Sequence, residues 1–325
     1  MLKYFVNRLL MLIPMILVIS FLMFLALEFT PGDALTASMS PELLGSMSQA
    51  EIDAMRESLG LNKPMPVRYG LWLLNLVKGD MGYSIQTGTP ISDIIVNLLP
   101  ATIKLCLFAL IASIVFGLLF GILAAINQNS PLDYIFTVFG VVGISVPEFF
   151  VGIIAMLVFA IQLQWFPAQG RTDIGLNALQ SLKYLVLPGM SISLVITAAL
   201  TRYTRNSMLD VLHKDYVKTA RAKGLPEWQV YFKHAFRNSL MPISVLICMR
   251  LPMLIGGSVV IEQVFGYAGI GTRLITAINS NDYQLVLVIV LLLSIVSLLA
   301  SVLIDLLTAL LDPRVRLGKN AQGGA

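Results

Sequence analysis

The sequence predicts an all-α polytopic membrane protein with six transmembrane helices and both termini in the cytoplasm. Three observations predict it: the composition, six long apolar runs, and the distribution of lysine and arginine. Of the 325 residues, 57% are hydrophobic and 12% are charged, whereas soluble domains are about 45–50% apolar and about 25% charged. A chain of this length holds several spans but no large soluble domain in addition.

Each predicted span is a run of nearly charge-free residues, close to the ~20 that a helix needs to cross the hydrocarbon core. The six runs are residues 9–27, 105–126, 134–163, 184–200, 240–261 and 285–311. The third run would form about 45 Å of helix, which is longer than the bilayer core. We therefore expect Pro147 to break it into a short interfacial piece and one true span that crosses once.

Lysine and arginine set the predicted orientation, because they accumulate on the cytoplasmic side of a membrane. With the N-terminus in the cytoplasm, the inside segments carry 13 basic residues and the outside segments carry 7. The predicted organisation follows in four parts. These are a first transmembrane helix with a cytoplasmic N-terminus at 1–30, an extracytoplasmic cap segment at 31–99, a five-helix core at 100–312 and a cytoplasmic tail at 313–325.

The extracytoplasmic segment has helical patterning at residues 40–61, with Ser40 or Ser48 as the N-cap. An aromatic-rich piece, YGLWLLNLV, follows at 69–77. Two interpretations fit this pattern equally. The segment is either a small, partly helical external cap or an ordered loop that lies on the membrane surface.

Motifs for chemistry are missing from the sequence. There is no GxxxxGK[ST] motif, so the chain has no P-loop of its own for ATP. Its two histidines, without HExxH or CxxC, predict no metal site, and Cys106 and Cys248 lie in apolar runs that indicate buried thiols. The basic residues cluster beside the spans, which predicts no nucleic-acid partner. We expect a non-catalytic protein.

Four ionisable residues lie in or near the predicted spans, where charge is costly and often functional. They are Lys104, Glu148, Arg250 and Asp305. Lys104 and Glu148 lie near span ends, so we favour a structural role for them. Arg250 is deeper, and it is either a pathway residue or part of a structural pair, with Asp305 as a candidate partner. Gly117 and Gly121 form a GxxxG pair that favours close helix packing.

The basic island at 202–237 holds eight of the 22 lysine and arginine residues and both histidines. The sequence predicts a helix at 215–223 that ends at Gly224, where glycine accepts a positive φ. Leu225 and Pro226 make the turn, and Pro226 suits the start of a second helix. Glu227 then lies in its first turn, where the helix dipole favours a carboxylate.

Apolar side chains are interspersed among the basic residues of the island. We expect four of them to offer an apolar contact: Tyr216, Val217, Ala220 and Leu225. This pattern favours docking of the island into a groove on another protein. The other interpretation is a solvated loop that only satisfies the positive-inside rule.

The island resembles the EAA loop of bacterial ABC-importer permeases. DYVKTARAKGL at 215–225 and HAFRNSLMP at 234–242 are very similar to the loop of dipeptide/oligopeptide importer permeases. Lys218, Thr219 and Ala220 stand where that family has its glutamate-alanine-alanine triplet, and Gly224 matches the family glycine. Pro242 matches the terminal proline after a longer spacing than the generic pattern.

The resemblance extends over nearly the whole chain. The matching segments are TPGD at 30–33, RESLGLNKP at 56–64, WLLNLVKGDMGYS at 72–84, EQVFGYAGIG at 262–271, NDYQLV at 281–286 and DPRVR at 312–316. The N-terminal TPGD and the long external segment are similar to the "B"-type permease of the peptide/nickel subfamily. The glycine-rich segment resembles the extracytoplasmic "scoop" of that family, which would correspond here to 262–283.

The resemblance implies a type I ABC-importer permease that imports di- and oligopeptides by alternating access. It implies a multi-pass protein of the bacterial inner (cytoplasmic) membrane, in contact with lipid. The implied partners are a "C"-type permease, two ATP-binding subunits and an extracytoplasmic substrate-binding protein. ATP and Mg²⁺ would be held by the ATP-binding subunits, and this chain would bind no cofactor.

The resemblance also implies which residues carry the function. The ATPase-coupling residues would be Asp215, Tyr216, Thr219, Ala220, Arg221, Ala222, Lys223, Gly224 and Leu225. Ala220 and Gly224 would allow a tight fit and a turn, and Arg221 and Lys223 would pair with acidic groove residues. The candidate pathway residues are Arg250, Glu262, Gly266, Gly269 and Gly271.

Two other functions stay open at this point. One is a nickel or metallophore ABC-importer permease, which differs only in substrate. The other is a stand-alone channel or secondary transporter, which would transport without partners. The docking pattern of the island and the missing P-loop count against that second function.

Overall fold

The computed structural model describes residues 2–29, 46–58, 62–170 and 177–311, and these residues are predominantly α-helical. The predicted TPGD segment, Ser40, the DPRVR segment and the tail at 313–325 lie outside the described residues. The side chain of Asp305 also lies outside them, so its pairing with Arg250 stays a prediction.

Thirteen α-helices make up the described part of the chain. They are α1 (Leu2–Glu28), α2 (Gln49–Ser58), α3 (Met65–Val77), α4 (Ile91–Ile126), α5 (Pro131–Ser145), α6 (Glu148–Ala155), α7 (Ala178–Leu212), α8 (Asp215–Ala222), α9 (Glu227–Gln229), α10 (Arg237–Met249), α11 (Leu251–Phe265), α12 (Ile270–Asn279) and α13 (Tyr283–Leu311). Two π-helical stretches, Met156–Gln162 and Val230–Phe236, continue α6 and α9.

Four helices in the described ranges are long and apolar enough to cross a membrane. They cover Phe5–Glu28, Ile91–Ile126, Gln180–Leu212 and Tyr283–Ile304. Two further pairs pass the same test together but are bent, by 107° for Pro131–Ser145 with Glu148–Gln162 and by 43° for Glu227–Met249 with Leu251–Phe265. The number of spans is therefore four to six, and six requires each bent pair to be one span.

The predicted break at Pro147 is confirmed. α5 ends at Ser145, and Pro147 takes an extended ψ of 139° as the residue before α6. Proline excludes the helical conformation at the preceding residue, so the chain turns sharply here. A single crossing of this bent pair stays a prediction.

Helix α4 begins well before the start that hydropathy alone predicts. It starts at Ile91, whereas the apolar run starts at 105, and it includes Pro100. Asp93 in the first turn lowers the local hydropathy but suits the positive end of the helix dipole. Because polar residues lower the hydropathy near the start of α4, the predicted span lacked about four helical turns.

The chain divides into two compact units, Met1–Thr102 with Ala268–Val296, and Ile103–Tyr267 with Ser297–Ala325. In the first unit, apolar residues of α4, α12 and α13 form one core: Ile91, Ile95, Ile270, Leu274, Ala277, Leu285, Val286, Val288 and Ile289. Trp72 of α3 forms a second cluster with Leu287 and Leu291 of α13.

A buried carboxylate ties the turn before α4 to the start of α13. Asp282 is 1% exposed and accepts hydrogen bonds from the Ser84 hydroxyl at 2.5 Å and from the Ile85 N–H at 3.2 Å. It also accepts the Leu285 N–H at 3.4 Å, which caps α13. Because its oxygens are satisfied by protein groups, this carboxylate is a structural element of the first unit.

Helix α2 starts with the predicted Ser48 cap. The Ser48 N–H donates to the Glu51 carboxylate at 2.8 Å, and the Glu51 N–H donates to the Ser48 hydroxyl at 3.3 Å. These two bonds form a capping box. The bond from the Ser48 backbone holds the pKa of the Glu51 carboxyl below its usual value.

Glycines allow the helices of the second unit to approach α7 closely. A Cβ on Gly117 would lie 2.6 Å from Leu200 Cβ, and one on Gly121 would lie 2.5 Å from Thr204 Cβ and 2.8 Å from the Thr201 carbonyl oxygen. Gly143 of α5 meets Ala198 in the same way. The close packing predicted from the GxxxG pair is therefore confirmed.

We expect Gly121→Ala to destabilise the protein, because the added methyl group meets backbone as well as side-chain atoms. Overpacking of this kind costs about 1–3 kcal/mol. The matched control is Gly256→Ala, at a helical position of α11 where nothing lies within 4 Å of the added Cβ. There the better helix propensity of alanine raises stability by up to about 1 kcal/mol. Thermal unfolding in detergent measures both, and equal effects would contradict the packing.

Candidate functional site

The basic island folds as the predicted helix, turn and helix. α8 ends at Ala222, and Gly224 follows with a φ of 76°. The Gly224 N–H donates to the Arg221 carbonyl at 2.9 Å, and Pro226 is the N-cap of α9, which begins at Glu227. The second helix differs from the expectation in one respect, since it continues as a π-helix over Val230–Phe236.

An ion pair closes the turn of the island. Arg221 Nε lies 3.0 Å from Glu227 Oε1, and Arg221 Nη2 lies 3.3 Å from Glu227 Oε2. The hydrogen bonds from Glu227 raise the pKa of the Arg221 guanidinium above its usual value. Arg221 thus has a carboxylate partner within the chain, whereas the sequence interpretation gave it one on another protein. Its pairing with a partner subunit stays a prediction.

The predicted apolar contact of the island needs a correction. Val217 is fully buried and Ala220 is 5% exposed, because both lie on the face of α8 that packs against α7 and the π-helical stretch. These two side chains stabilise the island rather than present an external contact. Tyr216 is 46% exposed, and Leu225 is half-buried.

Two exposed aromatic residues of the island were missed by the sequence interpretation. Trp228 is 63% exposed and Phe232 is 51% exposed. They lie four residues apart, and aromatic residues at this spacing inside a charged segment were the available signal. Large exposed aromatic side chains are typical anchors of protein interfaces. Tyr216, Trp228 and Phe232 are thus large exposed aromatic side chains of the island.

The remaining coupling residues of the sequence interpretation lie on the exposed surface of α8 and its cap. They are Asp215, Thr219, Ala222, Lys223 and Gly224. Lys218 pairs with Asp215 at 2.9 Å, and the Thr219 hydroxyl donates to the Asp215 carbonyl at 3.0 Å. These contacts stabilise the first turn of α8. Lys223 is exposed beside Gly224.

Arg205 contributes to the fold rather than to the exposed charge of the island. Its Nη2 lies 2.7 Å from Asp133 Oδ2, and the Asp133 side chain is 3% exposed. Asp133 also accepts the Asn129 N–H at 2.9 Å. The pair joins the start of α5 to α7, a role that the positive-inside pattern does not reveal.

Arg250 lies at the junction of α10 and α11, where the helix axis bends by 43°. It borders a pocket of about 240 Å³ lined by Ile144, Ala199, Arg202, Tyr203, Asn206, Leu246 and Arg250. Its Nη1 contacts Met253 Sδ at 3.5 Å. In the part of the chain that the structure describes, neither Arg250 nor Arg202 has a carboxylate within ion-pair distance.

The other candidate pathway residues are not in this pocket. Glu262 is fully buried in α11, close enough to Cys106 and Tyr267 to interact with them electrostatically. Gly266 ends α11 with a φ of 57°, which favours glycine. Gly269 is the N-cap of α12, and Gly271 is buried in its first turn. Their assignment to the pathway stays a prediction.

The two remaining ionisable residues occupy different environments. Glu148 begins α6, and its carboxylate packs directly against Gly257 of α11, where a Cβ would collide with it. Lys104 lies inside α4 and is exposed. Across the described ranges, no group of three or more histidine, cysteine, aspartate or glutamate residues could hold a metal ion.

Comparison with known proteins identifies relatives over almost the whole chain. Residues 117–317 match the family model described as binding-protein-dependent transport system inner membrane component. Residues 1–106 match the N-terminal model of the binding-protein-dependent transport system membrane component. The two matches together leave out residues 107–116 of α4 and residues 318–325.

Three relatives illustrate the similarity. The chain is 37% identical over 318 residues to the oligopeptide transport system permease protein AppB of Bacillus subtilis (strain 168), covering 97% of this chain and 99% of that protein. It is 34% identical over 337 residues to the dipeptide transport system permease protein DppB of Alkalihalophilus pseudofirmus, covering 97% and 100%. It is 34% identical over 316 residues to the glutathione transport system permease protein GsiC of Pectobacterium atrosepticum, covering 97% and 99%.

Proposed function

This chain belongs to the family of binding-protein-dependent transport system inner membrane components, and on that premise we propose that it is the "B"-type pathway subunit of an ATP-driven importer of di- and oligopeptides. Support for the peptide substrate comes from the names of relatives, which transport oligopeptides, dipeptides and glutathione. The apolar helices and the family support a multi-pass protein of the bacterial inner membrane.

The proposed topology has six spans and cytoplasmic termini. Each bent helix pair then counts as one span, and the even number places both termini on one side. The excess of lysine and arginine in the 202–237 island supports the cytoplasmic assignment. In this topology the segment between α1 and α4 and the glycine-rich 262–283 segment face outward.

The proposed partners follow from the family. A substrate-binding protein delivers the peptide, a "C"-type permease completes the pathway, and two ATP-binding subunits supply the energy. Those subunits hold ATP and Mg²⁺, while this chain, which has no P-loop, binds no cofactor.

The island is proposed to couple ATPase closure to the spans. The observation that carries this proposal is the turn at Gly224, which joins two helices of an exposed segment bearing Tyr216, Trp228 and Phe232. α8 packs against α7 through Val217 and Ala220. A force on the island therefore reaches a span through packed side chains and moves it as a semi-rigid element.

The pathway is proposed to include Arg250 and the turn glycines. Arg250 supports this role because it carries charge at a bend inside an apolar helix pair and borders a pocket with Arg202. Charge inside a membrane is costly, so a charged residue there typically serves a function or belongs to an ion pair. Glu262, four residues before Gly266 in α11, is proposed as a further pathway residue.

Uptake into vesicles tests this function against its alternatives. The purified complex is reconstituted, and labelled peptide uptake is measured with and without ATP and the binding protein. Uptake that requires both supports the importer, and uptake by this chain alone would establish a channel or secondary transporter. Binding-protein-dependent uptake of nickel or a metallophore, but not of peptide, would assign the other substrate class.

A further inference from the structure

Helix α3 (Met65–Val77) is apolar on both of its faces. One face carries Tyr69, Trp72, Leu73 and Leu76, which pack into the first unit. The opposite face, called here the exposed face, carries Val67, Gly70, Leu71, Leu74 and Val77, and Asn75 is an exposed polar residue of the same helix. Of these, Val67 is 47% and Leu74 50% exposed. A helix that is apolar all round belongs in a protein core or in a membrane.

The packed face of α3 lies against apolar stretches of two candidate spans. Trp72 packs with Leu287 and Leu291 of α13, and Phe24 and Leu27 of α1 belong to the same cluster. These partners lie inside the ranges Phe5–Glu28 and Tyr283–Ile304 that are long and apolar enough to cross a membrane. Helix α3 therefore packs against two helices that are long and apolar enough to cross a membrane.

A hydrogen bond shows how far α3 reaches along α1. The Tyr69 hydroxyl donates to the Leu17 carbonyl at 3.2 Å and shares a hydrogen bond with the Ser20 hydroxyl at 2.8 Å. Leu17 lies about 16 Å along the helix from its end at Glu28, which is about half of the ~30 Å hydrocarbon core. The phenol is satisfied by protein groups, as a polar group without access to water requires.

The charge on α3 is held away from the exposed face. Arg68 is the only charged residue of the helix, and it pairs with Glu28 at the end of α1. The pair lies at the end of α1, where the candidate span Phe5–Glu28 also ends. Lys63 and Lys78 lie outside the two ends of α3.

Helix α2, which precedes α3 in the same segment, is rich in charged residues. Its ten residues include Glu51, Asp53, Arg56 and Glu57. Both helices have exposed positions, but those of α2 include charged residues and those of α3 do not. Of these two helices, α3 has apolar residues at its exposed positions, with Asn75 as the exception.

We propose that α3 is embedded in the bilayer, in the leaflet at the Glu28 end of α1, with its exposed face against lipid acyl chains. The chain thus re-enters the membrane between α1 and α4 instead of forming a wholly aqueous cap there. Lipid is the occupant because the exposed face continues the apolar surface of α1, where Val18 and Leu22 are each 57% exposed. This inference goes beyond the proposed function and is independent of the transported substrate.

Spin labels on single cysteines test the embedding directly. In a variant with Cys106→Ala and Cys248→Ala, a nitroxide is attached at Leu71→Cys or Leu74→Cys in the assembled transporter, reconstituted in phosphatidylethanolamine and phosphatidylglycerol vesicles. Collision rates with oxygen, which partitions into lipid, and with a water-soluble nickel chelate are then measured. Leu22→Cys on α1 is the lipid reference, and Ala54→Cys, exposed on α2, is the aqueous reference.

We expect the oxygen-to-nickel ratio at 71 and 74 to match that at 22 and to exceed that at 54 several-fold. A ratio like that at 54 would overturn the proposal, because the face would then be in water. A label that neither reagent reaches would also overturn it, since a protein partner would then cover the face. Val67→Cys provides a third position if one variant fails to assemble, and size-exclusion chromatography verifies that each labelled complex is assembled.

Discussion

Replacing Gly224 with valine is expected to remove most of the ATPase stimulation by the binding protein while the complex still assembles. Gly224 has a φ of 76°, and a residue with a Cβ pays about 1–2 kcal/mol for the left-handed conformation. The turn then relaxes and changes the angle between α8 and the helix that begins at Glu227. Since each 1.4 kcal/mol is tenfold, the equilibrium constant for the coupled geometry falls about tenfold. ATP hydrolysis with and without peptide-loaded binding protein measures the loss.

Two controls separate the turn from general strain. Gly79 also has a positive φ, of 89°, and both glycines have open space where a Cβ would be. Gly79→Val should therefore carry similar strain but keep the stimulation. Gly224→Asn should retain more stimulation than Gly224→Val, because asparagine tolerates this conformation better. Full stimulation in Gly224→Val would contradict a role of this turn in coupling.

Replacing Asp133 with alanine is expected to cause a large loss of stability. The Asp133 side chain is 3% exposed and the Arg205 side chain is 21% exposed, so removal of the carboxylate leaves a partly desolvated guanidinium without its partner. Leaving such a group without its hydrogen-bond partner costs about 1–3 kcal/mol. The Asn129 N–H also loses its acceptor. Thermal unfolding in detergent measures the effect as a lowered Tm.

The exposed pair of the island provides the matched control. Asp215→Ala removes the partner of Lys218, but both side chains are largely exposed, so the expected cost is at most about 1 kcal/mol. In the double variant Asp133→Leu with Arg205→Met, the buried charge is absent, and much of the stability should return. A loss in Asp133→Ala no larger than that in Asp215→Ala would contradict the structural role of the buried pair.

Local rules predicted the parts of this fold that depend on backbone chemistry. The turn at Gly224, the break at Pro147 and the Ser48 cap each follow from what one residue type allows. The close approach at Gly117 and Gly121 follows from small side chains at helical spacing. Each of these features depends on a few neighbouring residues, so the sequence was sufficient to predict it.

Features that depend on distant partners were not predicted. Arg205 was counted as exposed island charge, but its partner Asp133 is 72 residues away. Val217 and Ala220 were interpreted as an external contact because their burial depends on α7 and the π-helical stretch. The start of α4 at Ile91 was missed because polar first-turn residues lower hydropathy. Trp228 and Phe232 were missed because exposure is not encoded in residue type.

Crosslinking from the island tests most directly the central claim, that this segment docks on an ATP-binding subunit. A photocrosslinker is attached to Ala222→Cys, which is exposed in α8, in a variant with Cys106→Ala and Cys248→Ala, and the complex is irradiated in its membrane. Ala54→Cys on α2 is the matched control. The account predicts a crosslink to the ATP-binding subunit from position 222 and none from position 54. No crosslink to that subunit from position 222 in a complex that hydrolyses ATP would contradict the account.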